Sequence, residues 1–241
     1  MARGEFVAVL SPGDRLAVDA LAEAAVALDR HPEWSVLYTD EDRIDGSGRR
    51  AAPSFKPGWS PDLLLTHPYV GRLCLMRRSL VEAAGGFRGG FGGAEEHDLL
   101  LRATSGLAAD CVGHLPRVLY HGRADRTGSD PDASRRAVSA HLSLRSPLAR
   151  VEEGSIPATH RIRWPLPRMR VSVVVATRDR AELMQRCAED VLASQGPEIQ
   201  LVVVDNGSRQ EAALALLEAL ERDSRVTVLR RPGPFNWAAL N

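Results

Sequence analysis

Residues 171–187 read VSVVVATRDRAELMQRC: an apolar run of strand length, a short polar turn, then apolar residues at helical spacing. The alternation continues, with strand 171–176, helix 180–194, strand 199–204, helix 209–222 and strand 225–230 in succession. Such a series buries its apolar faces most simply as parallel strands joined by right-handed helical crossovers. It predicts an α/β fold with a mainly parallel sheet flanked by helices. The position is unexpected, because this opening strand stands in the last third of a 241-residue chain.

Composition sets the outer limits. With 44% hydrophobic and 26% charged residues, the chain is expected to be an ordinary globular protein with one ample core or two small ones. Its net charge of zero gives no whole-molecule field for nucleic acid or an anionic membrane. Of the 31 basic residues only Lys56 is lysine. Cys74, Cys111 and Cys187 lack metal-ligand spacing and read as reduced thiols. No apolar run reaches the roughly 20 residues that span a bilayer, and MARGEFVAVLSPGD is too short in apolar residues for a signal peptide. A cytoplasmic protein, soluble or peripheral at the inner face of the membrane, is the expectation.

Ahead of Val171 the pattern is less regular. Phe6 to Leu10 predicts a strand and Ser11 to Asp14 a turn, with Asp14 placed to cap a helix carrying Leu16, Leu21, Ala24, Ala25 and Leu28. Trp34 to Tyr38 predicts a strand ending in the acidic run TDEDRID, and residues 46–68 read as irregular. Val70 to Met76 predicts a strand. Ser79 opens a short helix that Gly85 and Gly86 stop, AEEHDLLLRATSG forms another helix, and Val118 to His121 forms a last strand. A linker is expected at 124–134, a helix near 132–145, an extended stretch at 158–164 and a break at Pro165-Leu166-Pro167.

Several polar groups fall where chemistry is commonly done. Asp205 ends the strand LVVVD, and ligands of open α/β sheets lie beyond the carboxyl ends of strands, so it can bind a base or ribose or simply cap helix 209–222. Thr177 and Asp179 occupy the equivalent loop after the previous strand, beside helix amides and arginines suited to phosphate. No G-x-G-x-x-G or P-loop pattern is present. Glu95, Glu96 and Asp98 open a helix. Its dipole favours acids at that end, while their mutual repulsion suits one of them to general-base work. Asp40 and Glu41, with Asp42, form a second acidic cluster that reads either as a solvated loop or as part of a cleft, and His121 follows an apolar strand.

Taken in order, GEFVAVLSPGD, VLYTDEDRID, FKPGWSPDLLL, YVGRLCLMRRSLVEAAGGF, GGAEEHDLLLRA and RVLYHGR, then VSVVVATRDRAEL, LVVVDNGS and PGPFNWAALN, resemble the family 2 glycosyltransferases of GT-A fold. The likeness is to the middle of bacterial tandem-domain enzymes of surface-polysaccharide or O-antigen synthesis. Residues 1–125 resemble the C-terminal half of one GT-A domain, 126–168 the connector with a helix and an extended segment, and 169–241 the N-terminal, nucleotide-binding half of the next. The resemblance implies transfer of a sugar from a nucleotide-sugar donor to a saccharide or lipid-linked saccharide acceptor. It implies Glu96 as general base with Asp98 and Glu95 in support, Thr177, Asp179 and Asp205 in the nucleotide pocket, and Asp40 and Glu41 in the donor–acceptor cleft. It further implies Mg²⁺ or Mn²⁺ held by Asp14 and His121. The chain departs from the family at that last point: where an acidic triplet would hold the metal it has Ser11-Pro12-Gly13-Asp14, with one carboxylate. A non-catalytic nucleotide-sugar-binding or scaffolding domain is the alternative. The order of the halves is expected to reflect either a stretch of a longer tandem chain or a circularly permuted domain whose halves share one sheet.

Overall fold

The computed structural model describes residues 2–124 and 131–233, so most of the expected linker and the end of PGPFNWAALN lie outside the described residues. The chain forms two units, Met1–Trp164 and Pro165–Asn241. Among the described residues each sheet is built from strands of a single unit. Each half finds strand partners within its own segment.

The first unit begins with β1 (Phe6–Val7), β2 (Arg15–Leu16), α1 (Ala20–Arg30), β3 (Val36–Ile44), β4 (Arg50–Ser54), α2 (Pro61–Thr66), β5 (Cys74–Arg77) and α3 (Arg78–Ala83). It continues with α4 (Glu95–Ala103), β6 (Val112–Arg123), α5 (Pro131–Arg145), β7 (Arg150–Glu153) and β8 (His160–Arg163). The main sheet runs β1-β5-β3-β6-β2, with β4 added to β3. It is mixed: β3 and β6 are parallel and the remaining pairs antiparallel. Period-two alternation sends Val36 and Tyr38 into one core with Leu64, Leu99 and Val138, and Leu37 into another with Ala20, Ala24 and Leu119. Helices α2, α4 and α5 thus cover one face and α1 the other, and β3 is buried on both sides, as its unbroken apolar start requires.

Several expectations shift here. The strand at Phe6–Leu10 closes at Val7, leaving Val9 and Leu10 exposed. Arg15 and Leu16 pair with β6 instead of starting a helix, which delays α1 to Ala20 and frees Asp14 from capping. The acidic run after Tyr38 is not a terminal loop, because β3 continues through it to Ile44 against both β4 and β6. Residues 46–68 contain β4 and α2, the latter capped by Ser60 Oγ accepting from the Leu63 amide (3.2 Å), with Pro61 in its first turn.

The connecting segment packs into the first unit through α5, which lies on α4, and through the β7–β8 hairpin. A buried polar relay fastens it. His97 Nε2 donates to the Leu64 carbonyl (2.8 Å), which leaves Nδ1 to accept from the Ser134 hydroxyl (2.9 Å). His160 Nε2 meets the same hydroxyl oxygen (3.0 Å). All three side chains are buried.

The second unit is the predicted alternation: β9 (Arg170–Thr177), α6 (Ala181–Leu192), β10 (Glu198–Asp205), α7 (Glu211–Leu220) and β11 (Val226–Arg230). Its sheet, β11-β10-β9, is wholly parallel. Met184 and Ala188 of α6 and Leu217 of α7 pack over Leu201 and Val203, so both crossovers lie on one face, as a common hand demands.

The relay makes the first unit acid-sensitive. Burial lowers the His97 imidazole to about 4, below its ordinary value of 6.5. A depressed value means that the folded state favours the neutral ring. The stability this represents is intact above pH 6.5 and is lost as pH falls toward 4, amounting to about 3 kcal/mol. Urea denaturation followed by tryptophan fluorescence at pH 7 and pH 4.5 should show that fall, and His97→Gln should flatten it.

Candidate functional site

In the second unit the polar residues gather at the carboxyl end of the parallel sheet. Thr177 ends β9 and stands beside Asp205, the last residue of β10. Asp205 is buried, and its Oδ1 accepts from the Ser208 amide (3.0 Å) and hydroxyl (2.6 Å), closing a side-chain turn. It does not cap α7. Asp179, from the neighbouring loop, instead accepts at Oδ1 the amides of Arg209 (2.6 Å) and Gln210 (2.8 Å), the two residues that lead into α7. Those two amides hold the Asp179 carboxyl below its ordinary range. The Asp179 amide donates to Ser208 Oγ (3.0 Å), so the two loops are laced together and Thr177, Asp179 and Asp205 form one cluster. Asn206 follows, buried, with its Nδ2 donating to the Arg231 carbonyl (3.0 Å) and its Oδ1 without a protein partner among the described residues.

The first unit holds a cavity of about 410 Å³, with Glu41, Arg72, Glu96, Tyr69, His67 and Phe87 among its walls. Glu41 enters from β3 together with Asp42 and Arg43, where irregular register interrupts the strand's simple alternation, while Asp40 is not among the lining residues. Asp40 accepts from the Lys56 amide (2.9 Å) and meets His114 Nε2 (2.9 Å). Glu41 Oε2 accepts from Lys56 Nζ (3.1 Å) and the Arg72 amide (2.8 Å). Asp42 is matched by Arg50 (2.6 Å) and by His121 Nδ1 (2.6 Å).

Glu96, in the first turn of α4, stands at the cavity wall, and its Oε1 accepts from Arg72 Nη1 (2.9 Å). Its two companions do not face the same space. Glu95 turns back to accept the Gly93 amide (2.9 Å), a local bond at the helix start. Asp98 is 1% exposed and clamped between Arg88 and Arg102. Burial alone would raise its carboxyl, but the two guanidinium groups outweigh it and hold the group below the ordinary range. Asp98 therefore ties α4 to the preceding loop and stays ionised. Cys74, beside the cavity, is pushed up to about 12 by burial and remains a thiol.

Among the described residues Asp14 and His121 are not joined by the further ligands that a divalent cation requires. Asp14 receives the Tyr120 hydroxyl and the Arg123 amide (2.8 Å), and His121 is engaged by Asp42. Among the described residues no three His, Cys, Asp or Glu side chains converge as metal ligands would. Asp14 precedes β2, whose Arg15 pairs with His121, and among the described residues no group of three His, Cys, Asp or Glu that includes them could hold a metal ion. Sequence reasoning also missed Lys56, Arg72 and Arg88. Lys56 carried a signal, being the one lysine in an otherwise arginine-only chain.

Residues 172–240 match the sequence model of glycosyl transferase family 2. O-antigen biosynthesis protein RfbC of Myxococcus xanthus is 39% identical over 253 residues, covering 99% of this chain and 19% of that protein. An uncharacterised protein, y4gI, of Sinorhizobium fredii is 35% identical, covering all of this chain and 28% of its own length. The chain thus spans about a fifth to a quarter of these relatives. Among solved structures, residues 1–349 of TarS from S. aureus align with a TM-score of 0.43 at 18% identity, over 59% of this chain and 42% of that one. Among the described residues no helix is long and apolar enough to cross a membrane.

Asp98 and Glu95, three residues apart, should separate sharply on substitution. Asp98→Asn leaves two arginines facing a neutral group in a buried site and should cost about 3–5 kcal/mol. Glu95→Gln, partly exposed and locally bonded, should cost under about 1 kcal/mol. Urea midpoints of the two variants at pH 7 measure the difference.

Proposed function

We propose that this chain, which matches the glycosyl transferase family 2 model over residues 172–240, takes part in transferring a sugar from a nucleotide-sugar donor to a saccharide or lipid-linked saccharide acceptor in cell-surface polysaccharide synthesis. The observation that carries the reading is the family match together with the cluster of Thr177, Asp179 and Asp205 at the carboxyl ends of β9 and β10, where α/β sheets bind nucleotides. The 39% identity to an O-antigen biosynthesis protein supports the surface-polysaccharide setting. In this reading residues 1–125 are the C-terminal half of one GT-A domain and 169–241 the nucleotide-binding half of the next, within a longer tandem chain. The protein acts in the cytoplasm or at the inner face of the membrane.

The chemistry assigned to the first unit is a displacement at the anomeric carbon. Glu96 takes the proton of the acceptor hydroxyl, whose oxygen forms the new bond to that carbon as the bond to the diphosphate oxygen breaks. The electron pair of that bond leaves with the diphosphate. Glu41 lines the same cavity wall, while Glu95 and Asp98 keep the start of α4 in place.

A second reading, nucleotide-sugar binding or scaffolding without transfer, is favoured by the lack of a metal-ligand group among the described residues. Thermal unfolding with UDP, GDP or dTDP, with and without Mn²⁺, tests both. One nucleotide near a hundred times its dissociation constant should add about 2.7 kcal/mol, several degrees, to the second unit. Asp205→Ala should abolish the rise, and Mn²⁺ should leave it unchanged. A shift with no sugar transfer by the longer chain would support the binding role, and no shift with any nucleotide would overturn both.

A further inference from the structure

The one lysine of the chain is where an exposed cation would least be placed. Lys56 lies after β4 with its side chain 2% exposed, between Glu41 and the backbone of residues 70–72. Its Nζ donates to Glu41 Oε2 (3.1 Å) and to the Val70 carbonyl (2.6 Å). Burial lowers its affinity for the proton, and the Glu41 charge opposes that loss. The pair occupies space that a side chain at residue 71 would need: a Cβ on Gly71, which has φ +73°, would collide with both Lys56 Nζ and Glu41 Oε2. Glu41 Oε2 also accepts the Arg72 amide (2.8 Å). Residues 70 and 72 are thus held at two atoms, the Val70 carbonyl oxygen and the Arg72 amide nitrogen, on either side of Gly71, and beyond them the Arg72 guanidinium reaches Glu96 Oε1 (2.9 Å).

These contacts form one line from the sheet to the cavity. Side-chain exposure rises along it, from 2% at Lys56 through 14% at Glu41 and 24% at Arg72 to 34% at Glu96. The inner pair is shielded from solvent, where an ion pair with its hydrogen bonds satisfied holds its geometry, and the outer pair is open to a ligand. The other cation on the cavity wall among the described residues is Arg43, which packs against Gly122. His67 is kept toward its neutral form by burial and Cys74 is a thiol, while Arg72 is in direct contact with Glu96.

We propose that Lys56 and Glu41 are positioning residues: the buried pair sets the backbone of Arg72, and Arg72 in turn aims the Glu96 carboxylate into the cavity. This rests on the reading of Glu96 as the base. It assigns the FKPGWSPD stretch a role in the reaction centre without contact with substrate.

The single lysine makes the linkage measurable. Labelling with ¹⁵N-lysine gives one side-chain ammonium signal, and ¹³C-glutamate reports Glu96, identified by its loss in Glu96→Gln. In the wild-type chain the Lys56 signal should move with the Glu96 titration midpoint. That response should vanish in Glu96→Gln and in Arg72→Met, and persist in Arg72→Lys. Arg72→Met should raise the Glu96 midpoint by about one pH unit, and Glu41→Gln should raise it by part of that, opposite to the fall that loss of a neighbouring negative charge alone would give. A Lys56 signal blind to Glu96, an equal response in Arg72→Met, or an unmoved midpoint in a folded Glu41→Gln overturns the proposal. Should Glu41→Gln fail to fold, the wild-type and Arg72 measurements decide alone. In transfer assays with the longer chain, Arg72→Met should lower kcat about tenfold or more at similar KM, with partial rescue by Arg72→Lys. Full kcat in Glu96→Gln would remove the base assignment while leaving the measured linkage standing, so the two failures are distinguishable.

Discussion

The first unit depends on neutralising three consecutive carboxylates in its central strand. β3 runs between β5 and β6 and carries Asp40, Glu41 and Asp42 through the middle of a sheet covered on both faces. An unpaired carboxylate there would cost several kcal/mol, so the fold must bring a partner to each. His114 and Arg50 arrive from strands paired with β3, Lys56 from the segment after β4, and His121 from β6. The pairings that close the sheet and those that compensate charge are therefore largely the same. That coupling explains why β3 extends well past its apolar residues.

Legibility in the sequence followed the locality of the forces. The second unit was readable almost residue by residue, because helices and strands that alternate and pack on nearest neighbours write their period directly into the chain. The first unit was readable in its helices but not at its strand ends. Arg15 and Leu16 become a strand through pairing with Tyr120 and His121, more than a hundred positions away, and no local pattern announces that. The acidic run failed for the same reason: TDEDRI has the composition of a loop, and only distant cations make it strand.

The candidate site shows the same division. Asp205 and Thr177 could be placed at adjacent strand ends from the crossover pattern alone, and they are paired there. Their functions in the loops were less visible, since Asp205 turns back to Ser208 while Asp179 fixes the residues that lead into α7. The acids of α4 looked equivalent in sequence. Their separation into a cavity-facing Glu96, a locally bonded Glu95 and an arginine-clamped Asp98 follows from helical geometry, which sends residues one and two apart in different directions. The clamp itself, with Arg88 from a glycine-flanked loop, had no sequence signal.

The shielding of the one ammonium group has an effect on the molecule's outside. Every other side-chain cation, histidine aside, is a guanidinium, which holds its proton beyond the range of any buffer in use. As alkali is added, this protein loses almost none of its positive surface charge, whereas a lysine-rich protein of equal net charge would shed it above pH 10. Its electrophoretic mobility at high pH should accordingly stay flat until its tyrosines and cysteines ionise. Reagents that seek side-chain amines would find one target, and that target is inside.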